Sequence, residues 1–143
     1  MKIGLLQKIR ESEASKFLFD LNLGLEKECI RVDRDGFIAN TPHPKGLGDK
    51  LNHPYITTDF AESQLELITK PLDSISETYG FLETLFDIVC EALPKNEYIW
   101  EQSAPPPIKS EEEIQLASFG PKGQDKEMYR EHLAREYLSL IHI

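Results

Sequence analysis

An α+β fold with a largely antiparallel sheet is the class that this sequence predicts. Three observations lead to it: strand-like segments rich in Leu, Ile, Thr and Val, amphipathic helical segments, and no regular alternation of the two. The chain has 143 residues, of which 40% are apolar and 29% charged. That length and composition are typical of one globular domain with a single core.

The first half of the chain contains the predicted sheet. Two short helices come first, because apolar residues recur at helical spacing over residues 3–9 and 17–21. Leu23 to Val32 is predicted as a strand, and the sequence Asp-Arg-Asp-Gly at 33–36 as the turn that follows it. Residues 55–69 are strand-like in two pieces.

The second half is mainly helical. Ser74 to Leu93 is the clearest helix, since a capping box opens it and Pro94 stops it. Its predicted apolar stripe consists of Ile75, Tyr79, Leu82, Phe86, Val89 and Leu93. Residues 103–108 predict a stiff, polyproline-like connector, and a second capping box begins a short helix at Ser110. A third helix is predicted over 124–137, with Tyr129, Leu133 and Tyr137 on one face.

Charge and cysteine content exclude several classes of function. The formal net charge of −9 argues against nucleic-acid partners and against anionic membranes. No segment is long and apolar enough for a signal peptide or a membrane span. Cys29 and Cys90 match no zinc or CxxC spacing, so both are predicted as buried free thiols in a reducing cytoplasm.

Two sequence motifs give only weak evidence for a ligand-binding loop. Asp33-x-Asp35-Gly36 resembles the start of a calcium loop, but the later ligands are absent and a hairpin turn is the better interpretation. The Gly- and Lys-rich run at 45–50 matches no phosphate-binding fingerprint and lies in a predicted loop over 41–54. No arrangement of Ser, Cys and His indicates covalent catalysis by the protein.

Four acidic residues within the predicted strands carry the functional signal. Glu26 and Glu28 share one strand face, where two partly desolvated carboxylates either bind a cation such as Mg²⁺ or Mn²⁺ or stand solvated on an open sheet face. Asp59 and Glu66 are an odd number of residues apart, so they share a site only if a bulge or turn lies between residues 60 and 63. Glu62 would face with Glu66 if the strand ran straight from there.

In the second strand piece, alternation separates a core face from a functional face. Leu65 and Leu67 are predicted to pack against a helix layer, which leaves Glu66 on the opposite face.

Several long runs resemble the N-terminal part of bacterial glutamate–cysteine ligase. They are GLEKECIRV, HPKGLGDKLNHPYITTDF, ITTDFAESQLELIT, WEQSAPPPI and MYREHLAREY, in this order. The resemblance covers 1–137 as part of the catalytic domain, whereas 138–143 is expected to be a non-matching tail. It implies an incomplete fold similar to the catalytic domain of glutamine synthetase, in which helices back a funnel-like antiparallel sheet.

The resemblance implies ATP-dependent joining of the γ-carboxylate of L-glutamate to the amine of L-cysteine, the first step of glutathione synthesis, with Mg²⁺ or Mn²⁺ as cofactor. Carried over by position, the implied metal residues are Glu26, Glu28, Asp59 and Glu66. The implied substrate-binding residues are Phe60, Tyr129, Arg130 and Leu133, with Arg130 placed for a substrate carboxylate. Helical periodicity alone favours core packing for Tyr129 and Leu133.

The sequence leaves three alternatives to a single-function ligase open. The chain is equally similar to the N-terminal part of a bifunctional protein that also carries glutathione synthetase, and a non-catalytic metal- or amino-acid-binding module is a third possibility. A glycoside hydrolase fits poorly, because Glu26 and Glu28 lie side by side. The ligases of this family are several times longer, so the chain is expected to be an inactive, poorly soluble fragment.

Overall fold

The computed structural model describes residues 4–137. Within that range, four strands form one antiparallel sheet in the order β2-β3-β1-β4. The strands are β1 (Glu26–Asp33), β2 (Ile56–Thr58), β3 (Gln64–Ile68) and β4 (Glu97–Trp100). The helices are α1 (Leu5–Glu11), α2 (Ile75–Ala92) and α3 (Gln124–Tyr137). The predicted α+β class is confirmed.

The pairing of the three neighbouring strands β2, β3 and β1 fixes the positions of the acids. Glu28 of β1 lies directly opposite Glu66 of β3, and Thr57 of β2 lies opposite Glu66 on the other side. Strands β2 and β3 form a hairpin whose turn includes Glu62 and Ser63. The predicted interruption between residues 60 and 63 is therefore confirmed, and it brings Asp59 back beside β3.

The core lies between the sheet and α2. Leu65 and Leu67 of β3 are completely buried and pack in one cluster with Leu85 and Val89 of α2. Their neighbour Glu66 points to the other face, as alternation along a strand requires. The prediction of leucines against the helix layer is confirmed.

Helix α2 begins as predicted, and most of its predicted stripe faces the core: Val89 is buried, and Leu82, Phe86 and Leu93 pack against the core cluster. The Ser74 hydroxyl accepts a hydrogen bond from the Glu77 N–H at 3.2 Å, which confirms the cap. Thr78, Leu85 and Val89 are buried, whereas Ile75 is 77% exposed and Tyr79 is exposed as well. The predicted stripe was wrong at its N-terminal end, because the inward face passes through Thr78, whose hydroxyl donates to the Ser74 carbonyl at 2.8 Å and is thereby satisfied.

Strand β4 was not predicted from the sequence. Its residues EYIW pair with β1 from Ile30 to Asp33, a partnership between segments about half of the chain length apart. The first strand is Glu26–Asp33 rather than 23–32, and the second predicted N-terminal helix is a 3₁₀ turn, Glu13–Phe17. The short helix after Ser110 is likewise a single 3₁₀ turn, Glu111–Glu113, whereas α3 matches its predicted range of 124–137.

Of the remaining local predictions, the hairpin turn and the burial of Cys29 are confirmed, and the burial of Cys90 was wrong. Asp33 Oδ1 accepts hydrogen bonds from the N–H groups of Asp35 and Phe37, and Gly36 has a φ of 83°, so the hairpin turn is confirmed. Cys29 is a buried free thiol, and burial raises its pKa to about 11. Cys90 is also free but exposed, because it lies on the outer side of α2; its predicted burial was wrong.

Two further predictions concern the ends of the chain and the membrane. Ile3, the first residue of the first predicted helix, and the expected non-matching tail over 138–143 both lie outside the described residues. None of the helices within 4–137 has the length and apolar character needed to cross a membrane.

Candidate metal and substrate site

A row of carboxylates crosses the sheet face opposite the core. Glu26 and Glu28 stand on β1, Glu66 stands on β3 opposite Glu28, and Asp59 stands at the end of β2. Side chains directly opposite each other on antiparallel strands have Cβ atoms about 4.5–5.5 Å apart. The structure therefore places all four acids that the sequence singled out in one row on this face of the sheet.

The pKa of Glu66 shows that the charges of these acids affect one another. Partial burial raises the pKa of the Glu66 carboxyl, and the negative charges of Asp59, Glu26 and Glu28 raise it further. Among residues 4–137, no three His, Cys, Asp or Glu side chains converge closely enough to hold a metal ion. The acids thus form a row of repelling charges rather than a closed cage.

Two members of the row already have polar partners. Glu28 Oε2 accepts a hydrogen bond from Gln64 Nε2 at 2.9 Å. Asp59 Oδ1 accepts one from Arg130 Nη2 at 3.3 Å, an ion pair that ties β2 to α3 across 71 residues of sequence. Glu26 and Glu66 remain the acids without a hydrogen-bond donor among the described side chains.

Arg130 is the buried cation of the site. The residue is 6% exposed, and its guanidinium Cζ lies 4.7 Å from the centroid of the Phe119 ring. Within the described part of the chain, its Nη1 has no hydrogen-bond partner although it is buried. A buried N–H donor of this kind calls for an acceptor, which an ordered water or an anionic group can supply.

The other three predicted substrate residues differ in how far they are buried. Phe60 is buried next to Asp59, and its carbonyl accepts a hydrogen bond from the Ala117 N–H at 3.0 Å. Leu133 is half-buried, and Tyr129 is 62% exposed. Tyr129 is therefore not a core residue, contrary to what helical periodicity alone favours.

Comparison with known proteins decides the family. The family model described as "Glutamate-cysteine ligase" matches residues 6–143. The chain belongs to the glutamate–cysteine ligase family. The resemblance read from its motifs is confirmed.

The relatives of this ligase segment include fused proteins. It is 56% identical over 124 residues to the "Glutathione biosynthesis bifunctional protein GshAB" of Desulfotalea psychrophila, covering 86% of this chain and 16% of that protein. The protein of the same name from Listeria innocua is 46% identical over 134 residues, covering 93% and 17%. The chain thus spans about one sixth of the length of these curated relatives.

Two solved structures share the fold of this ligase segment. A glutamate–cysteine ligase from Francisella tularensis, solved in complex with AMP, has a TM-score of 0.78 and 39% identity, over 82% of this chain and 24% of that one. A bifunctional glutathione synthetase from Pasteurella multocida has a TM-score of 0.72 and 44% identity, over 80% and 15%. The incomplete, ligase-like sheet expected from the sequence is confirmed.

Sequence reasoning missed the role of Glu62 in this ligase segment. Glu62 lies in the β2–β3 turn, and its carboxylate accepts hydrogen bonds from Lys50 Nζ at 2.6 Å, the His43 N–H at 2.9 Å and the Ser118 N–H at 3.1 Å. Burial opposes its charged form, but these donors outweigh burial and hold the pKa of Glu62 below its usual range. Glu62 therefore joins three loops and does not stand in the acid row.

An open cleft of about 560 Å³ adjoins the acid row of the ligase segment at Glu28. Its walls combine Gln64 with apolar residues of β1, β4, the connector and neighbouring loops: Ile30, Ile38, Trp100, Pro105, Ile108 and Ile114. The Trp100 indole is fixed there, since its Nε1 donates to the Ala104 carbonyl at 2.6 Å. The predicted connector thus forms one wall of a cleft beside the carboxylates.

Proposed function

We propose that this chain supplies the acidic wall of an active site that joins the γ-carboxylate of L-glutamate to the amine of L-cysteine with consumption of ATP. The proposal rests on the carboxylate row on one face of the sheet. This row ends at Asp59, which pairs with the buried Arg130. Family membership supports the reaction class. Because both single and fused relatives contain this segment, the proposal concerns the ligation step alone.

The acids fit Mg²⁺ or Mn²⁺ by the chemistry of their donor atoms. Glu26, Glu28, Asp59 and Glu66 offer only carboxylate oxygens, which hard divalent cations prefer. Partial burial, followed by the negative charges of Asp59, Glu26 and Glu28, raises the pKa of Glu66, and a bound cation would offset the cost of holding these carboxylates ionised side by side. When bound, such ions neutralise the charge that develops on the transferred phosphoryl group.

The protein's own contribution is positioning. A carboxylate is a poor acyl donor, so the γ-phosphoryl group of ATP is first transferred to it with release of ADP. The amine of cysteine then attacks the resulting γ-glutamyl phosphate, forming the amide bond and releasing inorganic phosphate and a proton. Arg130 would hold the carboxylate of the cysteine substrate through its free Nη1 while Asp59 fixes its Nη2. Phe60 and Leu133 would line the pocket for the cysteine side chain, and Tyr129, which is exposed, would close it from the outside.

Binding of Mn²⁺ to the 143-residue chain tests the metal assignment directly. We expect weak binding in an electron paramagnetic resonance titration, with affinity lowered at least tenfold in Glu66→Gln and in Glu28→Gln. Glu91→Gln is the matched control, because Glu91 is an exposed acid on α2. Equal binding by all four proteins would contradict the assignment.

Turnover tests the reaction. In a chimeric ligase, this chain replaces the matched 124 residues of the Desulfotalea psychrophila protein. We expect ADP release that depends on both glutamate and cysteine, and a loss of at least 100-fold in kcat on Glu66→Gln. Full activity of Glu66→Gln would show that Glu66 does not take part in the reaction. Tight binding of glutamate and nucleotide by the 143-residue chain alone would favour a non-catalytic binding module instead.

A further inference from the structure

We propose that Phe119 is a positioning residue: its ring is the platform on which the Arg130 guanidinium is held flat for a substrate carboxylate. The inference rests on the proposed role of Arg130. No motif of the sequence pointed to Phe119, which lies in the loop before α3.

The Arg130 guanidinium lies over the face of the Phe119 ring. Arg130 Cζ lies 4.7 Å from the ring centroid, and Asp59 Oδ1 holds Nη2 at the edge, 3.3 Å away. Two restraints at different places on a rigid, planar group fix its orientation as well as its position. Nη1, which neither restraint engages, is the donor left for a ligand.

Phe119 is itself held through its backbone. Its N–H donates to Glu127 Oε1, which also accepts from the Ser118 hydroxyl at 3.0 Å. The Ser118 N–H donates to Glu62 Oε2 at 3.1 Å. The loop that carries the ring is therefore anchored to α3 on one side and to the β2–β3 turn on the other.

Gly123 provides the space that the platform needs. A Cβ added at Gly123 would overlap the Cβ of Phe119 and lie 3.2 Å from its Cα. The φ of Gly123 is −114°, a value open to any residue, so close approach and not backbone conformation calls for glycine. A substitution at 123 displaces the ring without altering its chemistry.

Arg130 is the buried one among the cations around this ring. Lys50 and Lys126 have their Nζ atoms 5.3 Å and 5.2 Å from the centroid, but Lys50 is engaged by Glu62 and Lys126 is exposed. Cation–π attraction is strongest where water is excluded. The ring therefore orders Arg130 more than it orders either lysine.

Nuclear magnetic resonance of the 143-residue chain tests the platform without reference to activity. A side-chain N–H proton above an aromatic face is shifted upfield by the ring current, so we expect such a shift for the Arg130 guanidinium. It should be kept in Phe119→Tyr and lost in Phe119→Leu and Gly123→Ala. Phe37→Leu is the matched control, since that ring carries Lys109 at 4.3 Å and has no contact with Arg130. An unshifted Arg130 resonance in the unaltered chain would overturn the platform.

Kinetics of the chimeric ligase test what the platform does. We expect Phe119→Leu and Gly123→Ala to raise KM for cysteine about fivefold with a smaller change in kcat. Phe119→Tyr should restore KM, and Phe37→Leu should leave it unchanged. An unchanged KM in Phe119→Leu would overturn the positioning role. An unaltered chimera without ligation would contradict the proposed function instead, and the resonance measurement would then decide the platform by itself.

Discussion

Arg31 is a buried charge whose two terminal nitrogens donate four hydrogen bonds, whereas its buried Nε has no partner among the described residues. Its Nη1 donates to Glu97 Oε2 and to Thr41 Oγ1, each at 2.7 Å, and its Nη2 donates to the carbonyls of Thr41 and Glu62. Both members of the Arg31–Glu97 pair have side chains no more than 1% exposed. Removing one partner of such a pair leaves a buried charge uncompensated.

Glu97→Gln should therefore destabilise the chain strongly. We expect the free energy of unfolding in urea to fall by about 3 kcal/mol, because the Arg31 charge loses its counterion. Glu13→Gln is the matched control: its ion pair with Lys16 is largely exposed, and its loss should change stability by less than about 0.5 kcal/mol. Equal effects of the two substitutions would contradict this account.

His43 predicts a pH dependence. Burial, followed by the charges of Lys50 and Arg31, lowers its pKa from 6.5 to about 4. The unfolded chain takes up this proton near pH 6.5 and the folded chain only near pH 4, so stability falls as the pH drops across that interval. With a discount for partial exposure, we expect a loss of about 1–2 kcal/mol at pH 5 relative to pH 7.

His43→Asn isolates this effect. Asn keeps a polar atom near the position of Nδ1, which lies 2.8 Å from Thr58 Oγ1, but it does not titrate. Urea unfolding at pH 7 and pH 5 should show a smaller loss of stability in the variant. The same loss in both proteins would mean that His43 is not responsible.

At the scale of elements, the sequence predicted the features that depend on residues close together along the chain. The capped start of α2, the hairpin turn after β1 and the range of α3 each depend on residues a few positions apart, and all three were found. Strand β4 depends on pairing with β1, about 66 residues earlier, and on the Arg31–Glu97 contact. Four residues contain too few alternations to reveal a strand whose partner is distant.

The cap of α2 can be tested with two serines of the same helix. Ser74→Ala removes the acceptor of the Glu77 N–H and should lower the free energy of unfolding by about 1 kcal/mol. Ser76→Ala is the matched control, because Ser76 is exposed within the helix and alanine should be neutral or stabilising by about 0.5 kcal/mol. Thermal unfolding of the three proteins separates the outcomes, and a stabilising Ser74→Ala would contradict the cap.

At the scale of the whole molecule, the sequence predicted which acids share a face but not how the site is supported. Alternation along β1 predicted that Glu26 and Glu28 share a face, and the predicted turn between residues 60 and 63 returns Asp59 beside β3. The β1–β3 register that sets Glu28 opposite Glu66 was not predicted. The Asp59–Arg130 pair and the Glu62 contacts join loops far apart in sequence, and no spacing rule connects them. Gly123 and Phe119 likewise meet through the path of a loop.

The chain also exposes large apolar side chains around its N-terminal helix and turn. Leu6 is 78% and Phe19 86% exposed, and Leu5, Phe17 and Leu21 are exposed as well. Together with the open edges of β2 and β4, these residues favour self-association.

Light scattering with size-exclusion chromatography can measure that tendency. We expect an apparent mass above the 16.4 kDa of one chain that rises with concentration. The double variant Leu6→Ser, Phe19→Ser should shift it toward the monomer. Lys16→Ser is the control, and a monomer at every concentration in the unaltered chain would contradict the expectation.

The Arg31–Glu97 pair has a consequence for folding during synthesis. Strands β1, β2 and β3 are complete once residue 68 has been made, so the carboxylate row can assemble early. Burying β1 at that stage would enclose the Arg31 charge without its counterion, since Glu97 is still to be synthesised. On the ribosome, the sheet should therefore remain open on its Arg31 side until residue 97 has left the exit tunnel, and its final closure should coincide with the docking of β4.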